Sequence, residues 1–345
     1  MMFSTLRARS TIHAMALTLG LSAGTAGCMG GDPALDDGPE GIGTSVQAIS
    51  GGTSVSPNSP LALATVHIEA SSGSCTGVLV GRRHVLTAAH CEFSLATLSS
   101  IRVWFYRGAL PESGTVGVTR VDIRPGINLT PGAGWNGLNN DDLQDVNNEF
   151  ADIAVLTLAA DAPSFTRPAL MPLSYPGNNV TGYAVGTGRH NGQTNNDDDM
   201  RYLADPTYSS NTNDGHFLIN TANVNLGDSG GPFLDYINGR LFAHGVLFGT
   251  DLEWAMHAKY TSIEHHLPWI LGRMSYDGDM ETSTNTLRSG AISGLVMTTN
   301  WRVCALACAQ STSCVGYFHL GGVCNLLSSL SGSPQPLSGA TSGVK

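Results

Sequence analysis

The sequence predicts a largely β-structured protein with long turns, and three observations support this fold class. Hydrophobic residues make up 41% of the 345 positions, which is enough to fill a core. Glycine occupies 42 positions, and serine, threonine and asparagine are frequent between apolar runs, as expected for strands joined by turns. The length suits roughly two domains, on a prior of about 150 residues each.

Paired strands are predicted at 61–68 and 76–86, with another at 101–106. The second half of the chain contains further predicted strands, at 180–188, 217–220, 232–235 and 241–248. Two stretches rich in Asn and Asp, 139–142 and 195–199, carry oxygen ligands suited to calcium but lack EF-hand spacing. Solvated loops are therefore preferred there.

The charge balance argues against nucleic acid as a partner. Seventeen Lys and Arg against 27 Asp and Glu give a formal net charge of −10, and no basic cluster follows residue 10. Nucleic-acid binding normally needs a basic patch or stripe. The acidity is therefore interpreted as a contribution to solubility.

The most informative stretch is Asn225–Pro232, in which three glycines surround Ser229 and Asp228 precedes it. Glycine tolerates the positive φ values of a tight bend and lets another molecule approach the main chain. In such a bend the N–H groups of Gly227 and Ser229 can converge and hold a developing negative oxygen. A serine hydroxyl is a weak nucleophile, so this interpretation requires a base and a group that orients the base.

Both groups are found upstream. His90 lies in Thr-Ala-Ala-His-Cys after an apolar run, and Asp152 opens the β-prone segment Asp-Ile-Ala-Val-Leu. The order His, Asp, Ser, together with Gly-Asp-Ser-Gly-Gly-Pro, resembles the trypsin/chymotrypsin family of serine proteases. The resemblance covers residues 49–273 and implies an all-β fold of two packed antiparallel Greek-key β-barrels, ending in a short helix at 263–271.

The resemblance also implies a mechanism. Ser229 would attack a peptide carbonyl, His90 would transfer the proton, and Asp152 would orient His90. Asp141, Asp142 and Asp145 are competing carboxylates, but no β-strand follows them, so Asp152 is preferred. No cofactor and no metal are required, and the spacing of His90 and Cys91 fits no standard zinc pattern.

Two other functions remain open. One is a protease-like binding protein that has lost catalysis, and the other is an esterase that uses the same three residues.

The N-terminus predicts export. Residues 1–27 combine Arg7 and Arg9, a short apolar core and small residues before Cys28, as in a signal peptide. The sequence around Cys28 resembles a bacterial lipoprotein cleavage box, which implies lipidation of Cys28 and the protein's only membrane attachment. An ordinary signal peptide is the alternative. Residues 28–48 are predicted to be a disordered tether or pro-segment.

Ile49-Ser50-Gly51-Gly52 resembles the N-terminus of mature chymotrypsin-like proteases. The resemblance implies cleavage before Ile49, after which the new ammonium group pairs with Asp228 and sets Gly227 in place. Ala48 precedes the bond, which favours an elastase-like activator or self-cleavage over a trypsin-like activator. The alternative is that Ile49 simply ends a linker.

Motif alignment places Asn223 at the floor of the specificity pocket, with walls at Leu247, Phe248, Gly249 and Ala258. Because Asn223 offers no negative charge, an uncharged P1 side chain of medium size is expected. Leu247 is aligned with a serine that the family usually places near the triad Asp. The disulfide that commonly braces the serine loop is absent, since no cysteine lies between residues 92 and 303.

Seven cysteines leave one unpaired, and Cys28 stands apart from the others. Cys75 and Cys91 form a local pair that would tie the His90 turn to the preceding strand. Cys304, Cys308, Cys314 and Cys324 cluster near the C-terminus, and sequence alone allows three pairings among them.

The C-terminal region divides into three predicted parts. Residues 274–290 are predicted to be a linker and 329–345 a disordered tail. Residues 291–328, with a helix at 301–308, resemble a PAN/apple module, a small α+β domain held by disulfides. The resemblance implies the pairs Cys304–Cys324 and Cys308–Cys314, and a protein or carbohydrate ligand. A four-cysteine zinc site and a purely structural role are the alternatives.

Overall fold

The computed structural model describes residues 49, 52–71, 73–91, 98–127, 144–145, 147–174, 180–188, 200–211, 214–221, 223–250 and 257–345. Its first elements are β1 (Thr53–Ser54) and α1 (Pro60–Ala64). The single strand predicted over 61–68 is therefore wrong in its first half. Ser59 caps the helix by accepting the Leu61 N–H at 3.3 Å, and Pro60 suits the first helical position.

Six antiparallel strands close a first barrel in the order β2-β3-β4-β7-β6-β5. They are β2 (Thr65–Ala70), β3 (Gly73–Gly81), β4 (His84–Thr87), β5 (Arg102–Tyr106), β6 (Pro111–Ile123) and β7 (Ala154–Leu158). Their inward side chains include Val66, Leu79, Phe105 and Leu156, all at most 1% exposed. Alternation of these residues with outward-facing ones is what closes the sheet around an apolar interior.

The second sheet also closes on itself. Its strands are β8 (Thr181–Gly186), β9 (Arg201–Asn211), β10 (His216–Ile219), β11 (Pro232–Ile237), β12 (Arg240–Thr250) and β13 (Ala258–Ser262). Their order is β9-β10-β13-β12-β11-β8, and β8 pairs back with β9. The short β1 also pairs with β9, as a seventh strand of this sheet. Phe217, Phe233 and Tyr260 pack together at its centre. The all-β fold with two barrels is thus the observed architecture, and helix α2 (Ile263–Arg273) follows the last strand.

The C-terminal region forms a separate small sheet with one helix. Its elements are β14 (Glu281–Ser289), β15 (Ile292–Met297), α3 (Trp301–Gln310), β16 (Gly316–Leu320), β17 (Val323–Leu327) and β18 (Ser331–Val344). The strand order is β14-β18-β16-β17-β15. Disulfides Cys304–Cys324 and Cys308–Cys314 anchor α3 and lie in its buried core with Tyr317.

The predicted linker over 274–290 and the predicted disordered tail over 329–345 are both wrong across most of their length. β14 lies in the first range and β18 in the second, and they pair antiparallel from Glu281–Val344 to Ser289–Ser331. β14 is rich in Ser and Thr and β18 in Ser and Gly, and such compositions by themselves suggest mobile chain. Their backbone groups satisfy one another only across more than forty residues of intervening sequence, which local composition does not reveal.

The small sheet packs on the second barrel through α3. Val303 and Leu306 of α3 belong to the same buried cluster as Leu271 and Met274 of the α2 region. Three side-chain hydrogen bonds add to this contact: Asn300 Nδ2 to Pro268 O at 3.1 Å, Gln310 Nε2 to Met171 O at 2.8 Å, and Arg240 Nη1 to Gln310 O at 2.6 Å. The two regions therefore share a core.

Candidate active site

His90 and Asp152 form a buried pair at the end of the first barrel. His90 lies in a short 3₁₀ turn after β4, and Asp152 lies just before β7, the strand that pairs with β4. Asp152 Oδ2 is 2.6 Å from His90 Nδ1, and Oδ1 accepts the His90 backbone N–H at 2.8 Å. A carboxylate oxygen accepts hydrogen bonds, so Nδ1–H of His90 donates to Asp152 and Nε2 takes no part in this contact.

The backbone around this pair is held from two sides. The disulfide Cys75–Cys91 joins β3 to the His90 turn. Thr261 of the second barrel donates its hydroxyl hydrogen to the Asp152 carbonyl at 2.9 Å. Because Asp152 is fully buried and His90 is 6% exposed, these contacts restrict the imidazole to a narrow range of positions.

Ser229 lies in a turn that only glycines can form. Gly227 has φ of +92° and Gly230 has φ of +78°, both in the left-handed region. A side chain on Gly230 would collide with the Thr87 hydroxyl, the Thr76 carbonyl and the Ala88 nitrogen. The turn that carries Ser229 therefore packs closely against the residues that precede His90 in the first barrel.

Ser229 shares a cleft with Phe248, whose ring contacts His90, but among the described residues Ser229 makes no direct hydrogen bond to His90. In the described part of the chain, the Ser229 hydroxyl has no hydrogen bond to His90 Nε2. Phe248 lines the same cleft as Ser229, and its ring centroid is 5.5 Å from that of His90. Catalytic hydrogen bonds are often long in unliganded enzymes and shorten when substrate binds.

The N–H groups of Gly227 and Ser229 are both available. Among the described residues neither has a hydrogen-bond partner, whereas both carbonyls are bonded to Thr76. Two unpaired donors two residues apart in a fixed turn are the arrangement that can stabilise an oxyanion.

Asp228 is fully buried and is surrounded by backbone donors. Its oxygens accept N–H groups from Ile49 at 3.0 Å, Gly188 at 3.0 Å and Asn225 at 2.9 Å. Burial raises the pKa of Asp228 to about 6, against the opposing effect of these hydrogen bonds. Ile49 itself is 1% exposed and packs with the second-barrel core.

A cleft of about 90 Å³ opens beside Ser229. It is lined by Val224, Asn225, Leu226, Ser229, Leu247, Phe248 and Gly249. Three of the predicted pocket residues therefore line it: Leu247, Phe248 and Gly249. Asn223 is exposed and Ala258 is fully buried in the barrel core, and neither lines this cleft. None of the lining side chains is charged.

Leu247 and Phe248 are neighbours on β12 with different surroundings. Leu247 is 1% exposed and packs in the second-barrel core with Tyr260 and Phe233. Phe248 is the residue of β12 whose ring contacts His90, and it also packs against Phe150 at 5.5 Å. An aromatic ring therefore lies beside the imidazole.

Comparison with known proteins agrees with this geometry. Residues 49–270 match the family model described as Trypsin. The chain belongs to the trypsin family. It is also similar to chymotrypsin-like elastase family member 1 from Bos taurus, with 30% identity over 253 residues that cover 64% of this chain and 88% of the relative. Trypsin-family membership identifies a serine peptidase, a hydrolase that acts on proteins or peptides.

Asp145, one of the carboxylates that compete with Asp152, has another role in this trypsin-family chain. It accepts the N–H groups of Asn147 and Glu149 at 2.8 and 3.2 Å and pairs with Arg124 at 3.3 Å. It therefore stabilises a turn. Asp141 and Asp142 lie outside the described residues, as do both Asn/Asp-rich stretches.

Several predictions for the trypsin-family chain fall outside the described residues. These are the signal peptide at 1–27, Cys28 and the tether at 28–48. Within the described ranges, no helix combines the length and apolar character needed to cross a membrane.

Sequence reasoning missed Val224, Asn225 and Leu226 as cleft residues. Their position directly before Gly227 is the signal that identifies them, because a tight turn brings its own flanking residues to the cleft.

Proposed function

We propose that the protein is an exported serine endopeptidase that uses His90, Asp152 and Ser229 and forms an acyl-enzyme. The observation that supports this most strongly is the buried His90–Asp152 pair, whose ring contacts Phe248 at the edge of the cleft beside Ser229. Family membership supports the peptidase class.

In the proposed reaction, Nε2 of His90 takes the proton of the Ser229 hydroxyl as Oγ attacks the peptide carbonyl. Asp152 keeps the second ring proton on Nδ1 and stabilises the imidazolium that forms. The N–H groups of Gly227 and Ser229 bind the oxyanion. His90 then gives its proton to the leaving amine, and water repeats the sequence on the acyl-enzyme.

We also propose that cleavage between Ala48 and Ile49 activates the enzyme. The Ile49 nitrogen already lies 3.0 Å from Asp228 Oδ2. Cleavage would convert this amide into an ammonium group, which would compensate a buried carboxylate far better than an amide dipole does. The Ile49 side chain, buried in the barrel core, would keep the new terminus in place.

The uncharged cleft supports a further proposal about specificity. A P1 side chain of medium size and without charge fits a cavity of about 90 Å³ lined by Val224, Leu247 and Phe248. A Lys or Arg side chain would lose water there without gaining an ionic partner.

Export, lipidation of Cys28 and a ligand of the C-terminal region are proposals as well. The disulfides support export, because such bonds persist in oxidising compartments. For residues 291–328 we retain the PAN/apple-like binding role as a proposal. The core that α3 shares with α2 favours a structural role as the second candidate.

A fluorophosphonate probe tests the proposed activity directly. The secreted chain is isolated, its N-terminus is read by mass spectrometry, and chains that begin at Ile49 are exposed to the probe. Labelling that is lost in Ser229→Ala and greatly slowed in His90→Ala supports the peptidase. Absence of labelling of correctly cleaved, folded protein supports a binding protein that has lost catalysis. Turnover of ester substrates without turnover of peptide substrates supports the esterase.

A further inference from the structure

Thr76 on β3 of the first barrel holds both residues of the proposed oxyanion hole. Its backbone N–H donates to the Ser229 carbonyl at 2.8 Å, and its hydroxyl donates to the Gly227 carbonyl at 2.8 Å. Thr76 is completely buried, and it adjoins Cys75 of the disulfide to the His90 turn. One residue of the first barrel thus holds the functional turn of the second, through its backbone and its side chain.

Together with two further hydrogen bonds, these contacts hold two peptide units of the turn at both ends. We call this arrangement the clamp. Opposite the Gly227 carbonyl, the Asp228 N–H donates to Asn225 O at 3.0 Å. Opposite the Ser229 carbonyl, the Gly230 N–H donates to Leu247 O at 2.7 Å. Because a peptide unit is planar, holding both its ends fixes its rotation.

The clamp is needed most at Gly227. Its φ of +92° is available to glycine, but glycine also has the greatest freedom to leave that conformation. Holding the Gly227 carbonyl restricts rotation about ψ of this residue, and so limits the directions in which its own N–H, on the preceding peptide unit, can point.

A buried chain of donors orients the Thr76 hydroxyl. Thr76 Oγ1 lies 2.9 Å from Thr187 Oγ1 and accepts the Thr187 backbone N–H at 3.0 Å. Thr187 Oγ1 lies 3.0 Å from His67 Nδ1. The single hydroxyl hydrogen of Thr76 is committed to Gly227, so Thr187 must donate to Thr76, and Nδ1–H of His67 must donate to Thr187. Each of the three hydrogen bonds, from His67 to Thr187, from Thr187 to Thr76 and from Thr76 to Gly227, then has one donor hydrogen.

We infer that Thr76 is a positioning residue for the oxyanion hole, and that His67 and Thr187 hold its hydroxyl in the donating orientation. The inference rests on the proposed peptidase function. Thr76 touches no substrate, and it acts by keeping the Gly227 N–H aimed at the developing oxyanion. Its effect is therefore expected in transition-state stabilisation and not in ground-state binding.

Thr76→Val and Thr76→Ser test the inference, since valine keeps the shape of threonine without the hydroxyl and serine keeps the hydroxyl. We expect Thr76→Val to lower kcat on a peptide amide about tenfold, from one lost hydrogen bond and one unpaired carbonyl, with KM changed less than twofold. A peptide aldehyde inhibitor, which forms a tetrahedral oxyanion adduct, should weaken by the same factor as kcat/KM. Thr76→Ser should restore most of kcat.

Thr65→Val is the matched control. Thr65 is 1% exposed on the adjacent strand β2, and its hydroxyl has no hydrogen-bond partner among the described residues. The same chemical change there should leave kcat and aldehyde affinity unchanged. Thr187→Val provides a second variant if Thr76→Val does not fold, with an expected loss of about threefold in kcat.

The outcomes separate this inference from the proposed function. Absence of Ser229-dependent turnover in the parent enzyme would overturn the proposed function itself. A parent that turns over, together with folded Thr76→Val or Thr187→Val of parental kcat, would overturn only the positioning role. A rise in KM at constant kcat, or equal losses in the valine and serine variants, would overturn it too.

Discussion

The backbone nitrogen of Ile49 lies 3.0 Å from Oδ2 of Asp228, although 179 positions separate the two residues. In the uncut chain this nitrogen belongs to an amide. It therefore provides a hydrogen bond but no positive charge to a fully buried carboxyl. Burial dominates, and the pKa of Asp228 rises to about 6. The uncut and cut chains should consequently differ in how their stability depends on pH.

We expect the uncut chain to lose stability as the pH rises from 4 to 7. The folded chain keeps the Asp228 proton up to about pH 6, whereas the unfolded chain releases it near its ordinary pKa of 3.8. The unfolding free energy should fall by about 2–3 kcal/mol across this window relative to Asp228→Asn. Cleavage before Ile49 should remove the difference, because an ammonium group lowers the pKa of Asp228.

Urea unfolding at pH 4 and pH 7 measures this effect, with Ser229→Ala present throughout to prevent self-cleavage. Asp161→Asn is the control, since that side chain is 57% exposed and its replacement should leave the difference between the uncut and cut chains unaltered. Identical pH slopes for the uncut parent and Asp228→Asn would contradict the expectation.

His244 should make the fold sensitive to acid. It is 2% exposed, and neither ring nitrogen has a hydrogen-bond partner among the described residues. Burial lowers its pKa to about 4. Between pH 6.5 and 4 the unfolded chain binds a proton at His244 and the folded chain does not. The free energy of unfolding therefore falls as the pH falls.

Between pH 7 and pH 4, the free energy of unfolding of His244→Leu should fall by about 3 kcal/mol less than that of the parent. Urea unfolding of the parent and the variant at both pH values measures it. A constant stability difference at the two pH values would show that His244 does not titrate in this way.

Val224→Asp should change P1 preference. A carboxylate in the cleft beside Ser229 supplies the ionic partner that Lys and Arg side chains lack in the parent. We expect kcat/KM for Lys or Arg at P1 to rise at least tenfold relative to Leu. Profiling of a peptide library measures the ratio. Leu110→Asp, at a site 66% exposed, is the control, and parental selectivity in Val224→Asp would mean that P1 binds elsewhere.

Leu306→Ala should destabilise the protease domain as well as the small sheet. Leu306 is 3% exposed in the core cluster that contains Leu271 and Met274, so truncation should cost about 2–5 kcal/mol. The half-life of peptidase activity on heating should shorten. Leu330→Ala, at 42% exposure, should change stability by less than about 0.5 kcal/mol. Unchanged inactivation of Leu306→Ala would show that the two regions unfold independently.

The sequence was most informative where chemistry depends on a few adjacent residues. The turn around Ser229, the His90 motif and the strand after Asp152 each have a local pattern, and the structure brings His90 and Asp152 into contact. Several barrel strands were predicted because alternation and turns are local as well. The single strand predicted over 76–86 is wrong, since β3 and β4 divide that range, and β6 and β9 were not predicted.

Register and long-range pairing could not be predicted in the same way. β12 has a bulge between Leu247 and Gly249 in its pairing with β13, and β11 has another after Phe233. A shift of one residue exchanges the two faces of a strand. For this reason the contact between Phe248 and His90 was not predicted from the sequence. The pairing of β14 with β18 was not predicted because the two strands lie far apart along the chain.

β18 lies between β14 and β16 in the small sheet and hydrogen-bonds to both. The two other parts of this sheet, β14 on one side and β16 with its neighbours on the other, are therefore joined in the sheet only through β18. A chain that lacked β18 would present two unpaired strand edges, which are sites for aggregation. One strand of polar composition thus protects two others from pairing with foreign chains.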